Sequence, residues 1–131
     1  MCNQNEWIVR EAFLAYARGD VARMMEFVGQ DLEWTNLGPG PDDPALARAG
    51  RDQLQEALRR QASSGLRAEL EEVIASGEKV MLVMRTPGLG LNRPHSAGDR
   101  TYDVVTVRDG LIVGLCACQD RAAARSLIGI G

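Results

Sequence analysis

The sequence predicts an α+β chain in which helices come before a set of antiparallel strands. Three observations carry this. Two short amphipathic segments meet at a Gly19-Asp20 corner, a third helical pattern follows a loop rich in proline and glycine, and two β-rich runs flank Asp109-Gly110. At 131 residues the chain fits one domain, expected over residues 1–131, and a domain of this size buries roughly two thirds of its unfolded surface.

From Val9 the apolar positions Phe13, Tyr16 and Ala17 recur at helical spacing with Arg10, Glu11 and Arg18 on the other side, and the helix ends near Gly19. Asp20 can accept from the next turn's N–H groups. The second helix then presents Val21, Met24, Met25 and Val28, and Gly29 is expected to end it. Leu32 to Leu37 alternates as a strand, and 38–44 is too rich in Pro and Gly to be other than loop. The third helix fits Arg51 to Ala62, with Leu54, Ala57, Leu58 and Ala62 on one face and Ser63-Ser64-Gly65 breaking it.

The next stretch is ambiguous. Leu66, Leu70, Val73 and Ile74 match helix spacing, whereas Leu66, Ala68 and Leu70 alternate like a strand and then change phase at Glu71-Glu72, as a bulge requires. Local pattern alone leans to helix. Val80 to Thr86 is an apolar strand that Pro87 ends, and 88–99 is a long connection expected to be disordered. Thr101 to Val107 and Leu111 to Cys118 form a hairpin through Asp109-Gly110, because both turn positions tolerate positive φ. Asp120 can cap a last helix that runs through Leu127.

Composition excludes several classes. Charged residues are 25% and the net charge is -3, with signs interspersed, so no nucleic-acid footprint is present. The longest apolar run, Leu111 to Cys118, is too short to span a bilayer, and no secretory pattern opens the chain. A soluble cytoplasmic protein is expected. Cys2, Cys116 and Cys118 make an odd count without framework spacing, which fits reduced thiols. Cys116 and Cys118 share one side of a strand, but a closed zinc site wants about four ligands and His95 is remote. No metal or cofactor is expected.

Ala17-Arg18-Gly19-Asp20 followed by Met24 to Phe27, the strand Glu33-Trp34-Thr35-Asn36, the opening Gly50-Arg51-Asp52 and the run Val107-Arg108-Asp109-Gly110-Leu111-Ile112 occur in an order that carries a resemblance. Over nearly its whole length the chain resembles the nuclear transport factor 2-like superfamily, also called SnoaL-like or ketosteroid-isomerase-like. The resemblance implies a curved antiparallel sheet forming a cone around about three N-terminal helices, an apolar pocket and a homodimer. It also implies that Leu66 to Ala75 is a bent strand, because tertiary pairing overrides local propensity. Members include isomerases, polyketide cyclases, epoxide hydrolases and binders without chemistry, so the residues must decide activity.

Ketosteroid isomerases place a proton-moving carboxylate before the Pro/Gly loop, and by resemblance that position is Asn36, which cannot act as base. Their second carboxyl falls at or near Asp103, which is present. The partner tyrosine falls near Ala12, with Tyr16 one turn away as its substitute. Limonene-type epoxide hydrolases match Trp34, Asn36 and Arg85, but their two aspartates fall at Pro87 and Ala117, and this argues against that reaction.

Asn36, Arg85 and Asp103 are therefore expected on one pocket wall. Asp103 would act as acid, base or hydrogen-bond anchor, Arg85 would orient an oxygen-rich ligand, and Asn36 would hold a carbonyl or a water. Trp34, Phe13 and Tyr16 complete the ligand-binding set. The alternatives stay open: Arg85 and Asp103 as a plain cross-strand ion pair, Asn36 bonding loop backbone, Trp34 and Phe13 as core. His95 is expected to be solvated unless its loop closes over the pocket. The expected partner is a small hydrophobic molecule, either transformed by isomerase- or cyclase-type proton transfer or held without chemistry; a dimeric scaffold is the third possibility.

Overall fold

The computed structural model describes residues 4–36, 48–65, 67–87, 100–118 and 120–129. The expectations for the 38–44 loop, the 88–99 connection, His95 and Cys2 lie outside these residues. The elements in order are α1 (Gln4–Ala17), α2 (Val21–Met25), β1 (Val28–Asn36), β2 (Arg48–Ala49), α3 (Arg51–Ser63), β3 (Glu69–Ser76), β4 (Lys79–Arg85), β5 (Arg100–Arg108), β6 (Leu111–Cys118) and α4 (Arg121–Leu127). The strands form one curved sheet in the order β2-β1-β6-β5-β4-β3. All pairings are antiparallel except β1 with β6, which is parallel.

The first two helices stop for separate reasons. Gly19 takes φ 85° at the corner, where a side chain would be strained. Asp20 then accepts from the Arg23 N–H at 3.1 Å and starts α2. That helix is shorter than its apolar spacing predicts, since Val28 opens β1 instead of closing α2. The Ile112 N–H donates to the Phe27 carbonyl at 2.8 Å, and Val28 pairs with Ile112. Pairing with β6 captures this residue, which is buried in either arrangement. Gly29 is then no helix stop but the second residue of β1, where a side chain would sit in ordinary contact with the Ile112 carbonyl. Arg51, at the first position of α3, holds the junction by donating to the Met25 carbonyl at 3.2 Å and the Val28 carbonyl at 3.4 Å.

Glu69–Ser76 is a strand, as the resemblance implies and against its local helical spacing. The register slips between Leu70 and Glu72, leaving Glu71 as the extra residue. Across the opposite hairpin Asp109 and Gly110 take φ 55° and 79°, the left-handed pair that a tight antiparallel turn demands. Asp120 accepts from the Ala123 N–H at 2.8 Å to begin α4.

Two cores lie on opposite sides of the sheet. On the inner side Val80, Leu82, Met84, Val105, Val107, Ile112 and Leu115 pack with Ile8, Val9, Ala12 and Phe13 of α1, Met24 and Met25 of α2, and Leu54 and Leu58 of α3. On the outer side Met81, Val83 and Val104 pack under Ala124 and Ile128 at the α4 end. The alternation along β4 is the physical basis of this division, because successive side chains leave opposite faces of a strand.

Candidate functional site

Asp103 is the one acid at the centre of β5, and its register fixes where it faces. It pairs with Leu82 on β4 and with Ala117 on β6. Directly opposed residues share a face, and Leu82 belongs to the inner core, so Asp103 lies on the helix-covered side, half-buried, with Val105 two residues along the same row. A carboxylate among aliphatic neighbours is expensive to bury without a polar partner.

Tyr16 comes to this side from the last turn of α1. Burial pushes its phenol well above the ordinary range, the negative charge of Asp103 pushes it further, and the Arg67 guanidinium opposes both. Tyr16 is therefore an un-ionised O–H donor at any physiological pH, within electrostatic reach of an acid and a base. Trp34 is half-buried beside the inner core and pairs with Leu115. Phe13 is 4% exposed and is part of the core itself. Asn36 has a backbone position in the same row as Asp103: it pairs with Ala117, which pairs with Asp103 in turn.

Arg85 is placed elsewhere. It lies three residues beyond Leu82, an odd step that turns it to the outer face, opposite Arg100. Its carboxylate partner is Glu69, at 3.7 Å. The expected gathering of Arg85 with Asp103 on one wall, and equally the plain ion pair between them, gives way to this alternation. Arg67 was not singled out from sequence, because the ambiguous 66–74 pattern hid its place. It precedes β3, donates from Nη1 to the Ala62 carbonyl at 3.1 Å and lies against Gly19.

The outer face carries a different arrangement. Glu33, Gly114, Thr106 and Lys79 stand in one register row across four strands. They line an open groove of about 190 Å³ together with Thr35, Cys116 and Leu127. Gly114 is its bare floor; a side chain there would meet Thr106 Cβ at 3.2 Å. Cys116 and Cys118 are half-buried on this side. Burial raises both thiols, Cys118 to about 12, so neither is a ready thiolate. Among the described residues no cluster of three or more His, Cys, Asp or Glu side chains could hold a metal, and no helix is long and apolar enough to cross a membrane.

A curved antiparallel-rich sheet with α1, α2 and α3 packed against one face defines the cone-shaped α+β class. The SnoaL-like domain model matches residues 9–115, and the chain belongs to this family within the nuclear transport factor 2-like superfamily. No curated protein sequence matches it. Among solved structures it is similar to a nuclear transport factor 2-like protein of Burkholderia thailandensis, with 22% identity, a TM-score of 0.67 and coverage of 95% of this chain and 97% of that one. A proposed polyketide cyclase of Xanthomonas campestris shares 22% identity at a TM-score of 0.62, covering 96% and 97%. TerC, co-crystallised with polyporic acid, shares 18% at 0.63, covering 96% and 98%. At these identities the likeness is one of fold.

Proposed function

We propose that the chain, as a single SnoaL-like domain, binds a small apolar, oxygen-bearing molecule in a cone-shaped pocket on the inner side of its sheet. The observation that carries this is Asp103, half-buried between Leu82 and Ala117 on the inner face and near enough to Tyr16 for its charge to raise that phenol. An apolar lining with a few convergent polar groups is the composition of a small-molecule site. In this reading Trp34 forms a wall, Phe13 belongs to the core against which Tyr16 and Trp34 pack, and the Asn36 backbone lies in the Asp103 row. The complex of TerC with polyporic acid supports a small-molecule reading of this fold, and the proposed polyketide cyclase of Xanthomonas campestris supports cyclase-type chemistry. In that chemistry Asp103 moves a proton while the Tyr16 O–H donates to the oxygen on which charge develops. Arg85, on the other face, has no part in it.

Native mass spectrometry of freshly purified protein shows a retained ligand if the reading is right, and Asp103→Asn loses it or weakens it. Incubating that ligand with the protein in D2O separates the two forms of the proposal. Deuterium entering the ligand, at a rate cut by at least about a hundredfold in Asp103→Asn, supports proton transfer. A ligand released unlabelled supports binding alone, the form favoured by Ala117 and Pro87 at the positions where epoxide hydrolases carry aspartates. A protein that retains nothing, with Asp103 insensitive to any added apolar probe, contradicts both.

We infer further that the chain works as a cytoplasmic homodimer joined through the outer face of the sheet. In the row Glu33–Gly114–Thr106–Lys79, which Ser76 of β3 continues, opposite charges flank Gly114 and Thr106, so a two-fold axis between those two sets Glu33 of one copy against Lys79 of the other.

A further inference from the structure

We propose that Cys116 and Cys118 form a two-sulfur site for a soft monovalent cation, copper(I), on the outer face of the sheet and independent of the inner-face pocket. The two residues are two apart on β6, so their side chains leave the same face of the strand. Both are half-buried free thiols. The Cys118 thiol is turned back along the strand, with Sγ donating to the Cys116 carbonyl at 3.7 Å, and the two thiols are within hydrogen-bonding reach of each other. Cys116 also lines the open groove of about 190 Å³, beside Thr35 and Leu127, which gives an ion a path to the sulfurs.

The strand sets what this pair can hold. Alternate residues of an extended strand are about 6.6 Å apart, near the upper limit for the Cα atoms of a disulfide and too far for its Cβ atoms. A disulfide would have to buckle β6, which is paired on both sides here. A linear sulfur–metal–sulfur bridge spans about 4.6 Å, two bonds of about 2.3 Å each, and thiols that converge from this spacing meet it without moving the strand. Coordination number then selects the ion. Among the described residues the pair belongs to no cluster of three or more His, Cys, Asp or Glu ligands. Zinc, which takes four, is left short, whereas copper(I) favours thiolates and is stable with two. Packing points the same way. Val104 stands opposite Cys116 and Tyr102 opposite Cys118, and both cysteines pack on the outer core with Met81 and Val83, an apolar setting that favours a soft ion over a hard, strongly hydrated one. Burial holds both thiols protonated, with Cys118 pushed up to about 12. Binding is therefore an exchange: two S–H bonds release their protons to water, two S–Cu bonds form, and copper stays monovalent throughout.

The test titrates the full chain anaerobically with copper(I) in competition with bicinchoninate, whose copper(I) complex is coloured. The parent protein and Cys2→Ser should each take one copper(I) per chain. Cys116→Ser and Cys118→Ser should each bind at least about a hundredfold more weakly, at or beyond the top of the range for losing a group that only supports a ligand. X-ray absorption of the loaded parent protein should show two sulfur neighbours and no nitrogen or oxygen ligand, a readout that does not depend on how the variants fold. Zinc added in excess should leave the copper in place. Binding lost in Cys2→Ser, one copper held per two chains, a shell of more than two ligands, or displacement by zinc overturns the proposal. So does a parent protein that takes no copper from the chelator.

Discussion

Asp103 faces Leu82 directly across the β4–β5 ladder, and this single pairing places the acid on the inner side of the sheet while turning Arg85, three residues further along, to the outer side. The two groups of opposite charge are near in sequence register but are separated by the sheet itself. Each has its own environment: Arg85 with Glu69 at the surface, Asp103 with Tyr16 and the aliphatic core.

Their energetic independence can be measured. A double-mutant cycle with Arg85→Gln and Asp103→Asn, followed by urea unfolding, should give a coupling within about 0.5 kcal/mol of zero, as expected for residues on opposite faces of the sheet. Arg85→Gln alone should cost no more than about 1 kcal/mol, since its pair with Glu69 is solvent-exposed. A clear coupling would mean that the two side chains meet.

How the strands align explains what the sequence could and could not reveal. The Asp109-Gly110 turn was plain, and counting from Arg108 opposite Leu111 leads toward Asp103. The ladder slips between Thr106 and Val107, however, so that Thr106 meets Gly114 and Asp103 meets Ala117 instead of Cys116. No local residue type announces that extra position in β6. Glu71 in β3 was readable as a phase change because its neighbours alternate sharply, and Val28 was misassigned because a helix and a strand would both bury it. Arg67 carries no local signal, and Arg51 reads from sequence only as the opening of α3; the contacts of both depend on carbonyls and a glycine brought near only by folding.

Tyr16 gives a prediction in pH. Its folded pKa is raised above the ordinary value of 10.0, first by burial and then by Asp103. A raised pKa means that the folded state holds its proton after the unfolded state has lost it, so the contribution is complete below pH 10 and fades as pH rises beyond it. The alkaline limb of stability should therefore be shallower in Tyr16→Phe than in the parent protein. A difference absorbance titration between the two should show no phenolate from Tyr16 at pH 10. Its appearance at that pH would contradict the burial.

Arg51 holds backbone carbonyls from a distant part of the chain. Arg51→Met removes donors from the Met25 and Val28 carbonyls where α2 gives way to β1. The expected cost is about 1 to 3 kcal/mol in urea unfolding, the range for leaving part-buried carbonyls unsatisfied. Arg23→Met, whose bond to Glu26 is exposed, should cost less than about 1 kcal/mol.

The turn between β5 and β6 separates backbone strain from packing. Gly110 has φ 79° and nothing within 4 Å of where a side chain would begin, so Gly110→Ala tests conformation alone and should cost about 1 to 2 kcal/mol. Gly114→Ala lacks that strain but crowds Thr106 Cβ and Oγ1, and pairing it with Thr106→Gly, which removes both atoms, should cost less than the sum of the two single changes. A Gly110→Ala protein as stable as its parent would show that the turn has moved out of the left-handed region.

The outer face yields a prediction about assembly that does not depend on the inner site. Glu33 and Lys79 are exposed in one row, flanking Gly114 and Thr106, and Leu127 projects beside the groove at 39% exposure. If a second copy covers this face about a two-fold axis, Lys79→Glu places two acids together on each side of the axis. Like charges brought together at an interface oppose association, so sedimentation should show the dimer weakened by at least about tenfold, a loss of about 1.4 kcal/mol. Glu33→Lys should do the same with two bases, and the double variant should restore the dimer, because the charges are then exchanged without changing what faces what. Recovery in the double variant requires the specific opposition of Glu33 and Lys79 across the axis. A double variant weaker than either single one would place the contact on another surface, and one indistinguishable from the parent along with both singles would leave the sheet face out of the assembly.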